Sequence, residues 1–135
     1  MADDVILNKA AIIERCLERV QQEYRGHEGE LTTDFTRQDA IVLNLLRACE
    51  AAIDLAMHVV RIHRLGIPQD SRDAFTMLEK AKLLDPETTR HLKAMVGFRN
   101  IAVHAYTNLD IAILKAILDN RLMDFRTFIK RMIQS

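Results

Sequence analysis

Arg99, His104 and Tyr106 fall within eight residues of a mostly apolar stretch, GFRNIAVHAYTN at 97–108. A guanidinium stays protonated at physiological pH and presents a planar fork of donors that matches phosphate oxygens, while an imidazole can take or give a proton near neutrality. Acting on a phosphodiester of RNA without a metal requires a general base for the ribose 2′-hydroxyl, a general acid for the departing oxygen, and a cation for the charge that builds on phosphorus. One Arg–His pair fills part of that requirement, and two pairs across a dimer fill all of it.

Spacing qualifies this chemistry. Residues five apart on an ideal helix point about 140° away from each other, so a regular helix does not bring Arg99 and His104 to one phosphate. Either the backbone breaks between them, or a cleft between two chains collects one residue from each, as a two-fold axis would arrange. The plainer readings are that a His in a helical segment is a satisfied polar residue and that a Tyr near a helix end packs with its hydroxyl in water. His58 and His63, also five apart, sit on different faces and form no metal-ligand pattern. Cys16 and Cys49 are far apart and belong to no CxxC pair, which makes them small core residues rather than zinc or redox groups. Neither a metal nor a cofactor is expected.

The elements that must position these residues read as helices, because four glycines and two prolines among long stretches of helical period leave little room for strands. A first helix starts near Asp3 or Asp4, turns Ile6, Ala10, Ile13, Leu17 and Val20 to one side, and stops near Gly26. After the polar loop GHEGELTTDF, with Thr33 or Asp34 as cap, the longest helix spans about 36–64. Between Ile41 and Ile62 its polar residues Asn44, Arg47, Glu50, Asp54, His58 and Arg61 fall within an arc of about 120°. GIPQDS ends that helix, and Asp70 or Ser71 caps a short third one carrying Ala74, Leu78 and Ala81. Asp85 with Pro86 opens a fourth, bearing Leu92, Met95, Val96 and the 97–108 motif. Thr107 or Asn108 then caps a last long helix over 109–133, with Ile113, Ile117, Phe125, Phe128 and Met132 inward.

The fold class is therefore all-α, an antiparallel helical bundle of about five helices forming a single domain over 1–135. Helices of more than about 20 residues bury poorly within one small chain, so a leftover apolar stripe and a homodimer are expected. With 49% hydrophobic and 28% charged residues the chain is ordinary for a globular protein, and disorder or a fibrous repeat is excluded. Its 19 basic and 19 acidic residues cancel, which argues against sequence-blind wrapping of nucleic acid while leaving room for a local phosphate site. No apolar run approaches the roughly 20 residues of a membrane span, and the acidic start MADDVILNKA is unlike a secretory signal. A cytoplasmic protein with no membrane contact is expected.

The run Arg99-Asn-Ile-Ala-Val-His104-Ala-Tyr106, preceded by Gly97-Phe98, resembles the R-x4-H-x-Y signature of the HEPN superfamily (higher eukaryotes and prokaryotes nucleotide-binding). The resemblance is closest to HepT-like toxins of the HepT/MNT toxin–antitoxin systems. It extends to E-x-x-x-D at Glu50 and Asp54 on the long second helix, to the Asp-Pro opening of the fourth, and to the chain length. It implies a metal-independent endoribonuclease acting on tRNA or mRNA as a dimer, with the motif in an inter-subunit cleft. The implied partner is an ATP-using nucleotidyltransferase antitoxin of the MNT type, with which the dimer can build a larger hetero-oligomer. That partner would transfer AMP onto Tyr106 and silence the toxin.

Within that reading Arg99 holds the scissile phosphate and His104 carries the proton. Asn100 donates to ribose or phosphate or fixes the local backbone. A carboxylate from the Arg47, Glu50 and Asp54 arc orients the guanidinium or the imidazole; the competing reading is a merely solvated face. Two other functions stand beside the toxin. One is a non-catalytic HEPN nucleotide-binding or docking partner of a nucleotidyltransferase, and the other a structural bundle in which replacing Arg99 and His104 by Leu is harmless.

Overall fold

Aspartate caps set where the helices begin. In the computed structural model, which describes residues 2–135, α1 (Asp4–Tyr24) follows Asp3, whose carboxylate accepts from the Ile6 N–H at 2.9 Å. Asp34 accepts from Arg37 N–H at 3.0 Å before α2 (Phe35–Ile62), and Asp70 from Asp73 N–H at 2.8 Å before α3 (Ser71–Lys80). Asp85 accepts from Thr88 N–H at 2.9 Å before α4 (Pro86–His104), where Pro86 occupies the first turn and gives up no bonded N–H. Asp110 accepts from Ala112 N–H at 2.8 Å before α5 (Ile111–Asn120). These side chains satisfy amides that the first turn of a helix leaves unpaired. Leu122–Gln134 forms α6, and short 3₁₀ turns occupy Glu28–Glu30 and Tyr106–Asn108.

The all-α class holds, with three corrections at the C-terminal end. The expected last helix is two: Arg121, at φ −120° and ψ −3°, leaves the helical region, and its N–H bonds back to Ile117 at 2.8 Å. The bend lets Leu114, Ile117 and Leu118 of α5 and Leu122, Phe125, Phe128 and Met132 of α6 all reach the core. Ile113 lies on the other side of α5 and is half exposed rather than inward. The cap is Asp110 instead of Thr107 or Asn108, because those two residues are already committed to the 3₁₀ turn, where Asn108 N–H bonds Ala105 at 2.8 Å. Ala81, expected inward on the third helix, is its partly buried C-cap.

Side-chain pairs set the directions of the helices. Asp3 with His58, Lys9 with Asp54 and Glu23 with Arg37 run in opposite order along α1 and α2, so the two are antiparallel. Ser71 with Arg99 and Thr76 with Lys93 give the same relation for α3 and α4. α2 is the central helix, packed by α1, α3, α4 and α6 around one contiguous core. Phe75 and Phe128 meet edge to face in it, with centroids 5.5 Å apart. Both cysteines are buried, and burial pushes the Cys49 thiol up to about 12.

The polar arc of α2 is only partly wet. Asn44 is buried and donates to the Ala40 carbonyl at 2.9 Å. His58 is buried as well, with Nε2 2.7 Å from Asp3 Oδ2 and Nδ1 accepting from Arg61 at 3.1 Å. That acceptor role places the imidazole proton on Nε2, where it donates to Asp3. Arg47, Glu50, Asp54 and Arg61 remain exposed. Among the described residues no helix is long and apolar enough to cross a membrane.

Candidate active site

The motif sits at the end of α4, which runs without a break through His104. The backbone leaves the helix one residue later, at Ala105 (φ −150°, ψ 54°), whose N–H still bonds the Ile101 carbonyl at 2.8 Å. Of the two ways to bring Arg99 and His104 together, a break between them is therefore not used. Within one chain they stay on one regular helix and point apart.

Arg99 turns inward, its side chain 19% exposed. Its Nη1 lies 3.0 Å from Glu50 Oε1 on α2, and its Nη2 donates to Ser71 Oγ on α3 at 3.3 Å. The buried Nε has no hydrogen-bond partner among the described residues. Because Glu50 is half exposed, the ion pair adds at most about 1 kcal/mol to stability, and its main effect is orientation. His104 is exposed on the last turn, and its imidazole makes no hydrogen bond or ion pair with the described residues. Asn100 is partly buried and also makes no side-chain bond.

Tyr106 opens the 3₁₀ turn after α4, and its hydroxyl donates to Asp39 Oδ1 on α2 at 2.7 Å. Partial burial, followed by the neighbouring Asp39 carboxylate, pushes the phenol up to about 12. Asp39 lies just ahead of the polar arc that begins at Ile41, so the periodicity of that arc does not include it. Its spacing still carried a signal: Asp39 and Glu50 are eleven residues apart, which on a helix returns to within about 20° of the same direction.

One face of α2 thus holds both ends of the motif. Glu50 meets Arg99, and about 16 Å away along the same helix Asp39 meets Tyr106. His104 falls between them along α4. Of the three arc residues expected to support the motif, only Glu50 touches it. Relative to Glu50, Arg47 and Asp54 are turned about 40–60° toward α1. Asp54 there binds Lys9 Nζ at 3.3 Å, and Arg47 makes no hydrogen bond or ion pair with the described residues. Among the described residues, no group of three His, Cys, Asp or Glu stands close enough to hold a metal ion.

Comparisons with known proteins identify the family and the shape of the fold. The family model described as Ribonuclease HepT-like matches residues 13–132. The chain is 48% identical over 127 residues to the mRNA nuclease HepT of Shewanella oneidensis, covering 94% of this chain and 95% of that protein. It is 26% identical over 106 residues to the tRNA nuclease HepT of Aphanizomenon flos-aquae, covering 78% and 72%. Among solved structures it is similar to the tri-AMPylated Shewanella oneidensis HEPN toxin in complex with MNT antitoxin, with TM-score 0.94 and 46% identity over 99% of this chain and 100% of that one. A second toxin–antitoxin structure, with AMP-PNP, gives TM-score 0.92 and 45% identity over 97% and 99%. On the length and identity of these matches, with Arg99, His104 and Tyr106 placed on a bundle of the same shape, the chain belongs to the HepT-like ribonucleases of the HEPN superfamily.

Proposed function

We propose that this chain is an endoribonuclease toxin, one helical domain over 1–135, that cleaves RNA in the cytoplasm without a metal and is silenced by AMP transfer to Tyr106. The observation that carries the reading is the contrast within the motif: Arg99 is fixed by Glu50 and Ser71, while the His104 imidazole is exposed and unengaged. A preoriented cation and a free proton carrier suit a phosphate site better than a core, where both would be paired.

Arg99 draws in the scissile phosphate and offsets the charge that develops on it, and His104 handles the proton of the 2′-hydroxyl or of the leaving 5′-oxygen. Because the two point apart in one chain, a complete set needs a second copy across a two-fold axis. An apolar cavity of about 470 Å³ on the other side of α4, lined by Phe98, Ile101, Leu109 and Ile113, supports such a homodimer. Ile101 and Ile113, about half exposed, belong to its wall, surface that a second copy would cover.

The partner is a nucleotidyltransferase of the MNT type that uses ATP, as in the toxin–antitoxin pairs to which the chain is similar. In the transfer, Tyr106 Oη forms a bond to the α-phosphorus, the bond to the β-phosphate oxygen breaks, and pyrophosphate leaves. The phenolic proton passes to Asp39, which already accepts it at 2.7 Å. The added phosphate and adenosine bring negative charge and bulk to the face that RNA would occupy.

The test is expression of the chain with Arg99→Ala or His104→Ala. Each variant should fold and dimerise yet lose growth arrest and RNA cleavage; full toxicity in both would overturn the reading. If purified parent protein leaves every tRNA and mRNA intact, a non-catalytic docking partner of the nucleotidyltransferase takes its place.

A further inference from the structure

We infer that the groove between α1 and α2 is a binding track for the phosphate backbone of single-stranded RNA, held by Arg15, Arg19 and Arg47. The inference rests on the ribonuclease reading and adds to it a substrate-binding surface outside the Arg99–His104–Tyr106 motif. The groove encloses about 600 Å³ and is lined by four cations, Lys9, Arg15, Arg19 and Arg47, and two acids, Glu50 and Asp54.

The acids are already engaged. Glu50 holds Arg99 at 3.0 Å and Asp54 holds Lys9 at 3.3 Å. Arg15, Arg19 and Arg47 are exposed and make no hydrogen bond or ion pair with the described residues. Elsewhere on the same bundle Arg37 pairs with Glu23 and Asp34, Arg126 with Glu14, and Arg131 with the Leu83 and Lys82 carbonyls, while Arg25, Arg64, Arg90 and Arg121 also make no side-chain bond with the described residues but do not line this groove. Three guanidiniums with no carboxylate partner facing one groove repel one another, whereas they match a chain of phosphates. Their fields converge on Cys16 at the groove floor, where all three act to lower the thiol against the larger effect of burial.

Position connects the groove to the motif. Arg15 and Arg19 are one turn apart on α1, roughly 6 Å between β-carbons, and Arg47 is one turn from Glu50 on α2. A strand whose scissile phosphate meets Arg99 would pass over Glu50 and continue along these cations. The half-exposed Leu43 on the same wall offers an apolar surface to a base. A neutral net charge is no obstacle, because the local field comes from which cations lack partners rather than from the total.

The test measures binding of a short fluorescent single-stranded RNA to the full chain carrying His104→Ala, which binds without cutting, across a salt series. Arg15→Gln, Arg19→Gln and Arg47→Gln together should weaken binding at least tenfold and flatten the salt slope by about 2, because each phosphate neutralised on a single strand adds about 0.7 to that slope. Lysines at the three positions should recover most of the affinity. With Arg99 and His104 intact, the triple Gln variant should raise KM and leave kcat nearly unchanged. Unchanged affinity and salt slope in a chain whose parent binds and cuts RNA would overturn the inference alone. So would loss of dimer or of antitoxin binding with RNA affinity intact, which would make the groove a protein interface. A parent that neither binds nor cuts RNA would overturn the ribonuclease reading as well.

Discussion

The Tyr106 hydroxyl donates to Asp39 Oδ1 at 2.7 Å, tying the 3₁₀ turn that follows α4 to the first turns of α2. Burial and this carboxylate together hold the phenol neutral up to about 12. A raised value means that the folded chain binds the proton more tightly than the unfolded one. The stabilisation is therefore complete below 10, the ordinary value, and is lost as pH rises toward about 12. Asp39→Asn should lower the Tyr106 midpoint part of the way back, since burial remains; alkaline absorbance titration in a Tyr24→Phe background reads it. The same variant should slow AMP incorporation by the nucleotidyltransferase while RNA cleavage persists, and an unchanged rate would show that Asp39 does not take the proton.

Glu50→Gln tests whether Arg99 is oriented by its ion pair. Glu50 is half exposed, so unfolding free energy should change by less than about 1 kcal/mol. Cleavage should nevertheless drop by roughly 10- to 100-fold, the usual effect of losing a group that aims another. The fall should appear in kcat, because Arg99 itself is still present. Ser71→Ala, which removes the other hydrogen-bond partner of the guanidinium, should act in the same direction and less strongly.

At the opposite end of α2, His58 is a structural residue. His58→Leu removes both of its hydrogen bonds and leaves Arg61 without its ring partner, so denaturant unfolding should show a loss of about 1–3 kcal/mol with cleavage unaffected. The Asp3 carboxyl is held below its ordinary 3.8, first by the Ile6 N–H and then by His58. For a lowered value the stabilisation is present above 3.8 and lost as pH falls through the folded value. Protection factors of the amides in the first turn of α1, corrected for the intrinsic exchange rate, should fall in acid before those of the rest of the helix.

The two thiols should be inert and unequal. Iodoacetamide at neutral pH should label neither in the folded chain, because burial raises both. As pH rises Cys16 should react first, since Arg47, Arg15 and Arg19 oppose the effect of burial there. Replacing those arginines with Gln should slow the Cys16 reaction, and mass spectrometry of the labelled peptides separates the two sites.

What the sequence determined by itself was local. Asp3, Asp34, Asp70 and Asp85 cap helices because each carboxylate meets an amide three residues away, and the inward stripe of α1 follows from a period of about 3.6 residues. The Arg99–His104–Tyr106 spacing, and with it the family, was also legible, as was a supporting carboxylate on α2, but that it is Glu50 and that it meets the guanidinium came from the packing. Tertiary structure decided what depends on neighbours far along the chain. The bend at Arg121 follows from two apolar stripes that must reach one core, which neither half of 109–133 reveals alone. Asp39 became part of the site because Tyr106 folds back across sixty-seven residues of separation. Arg47 and Asp54 left the motif because a rotation of about 40–60° around α2 turns them from α4 toward α1. Which charges stay unpaired is likewise a property of packing, because a composition with equal charges says nothing about which ones meet.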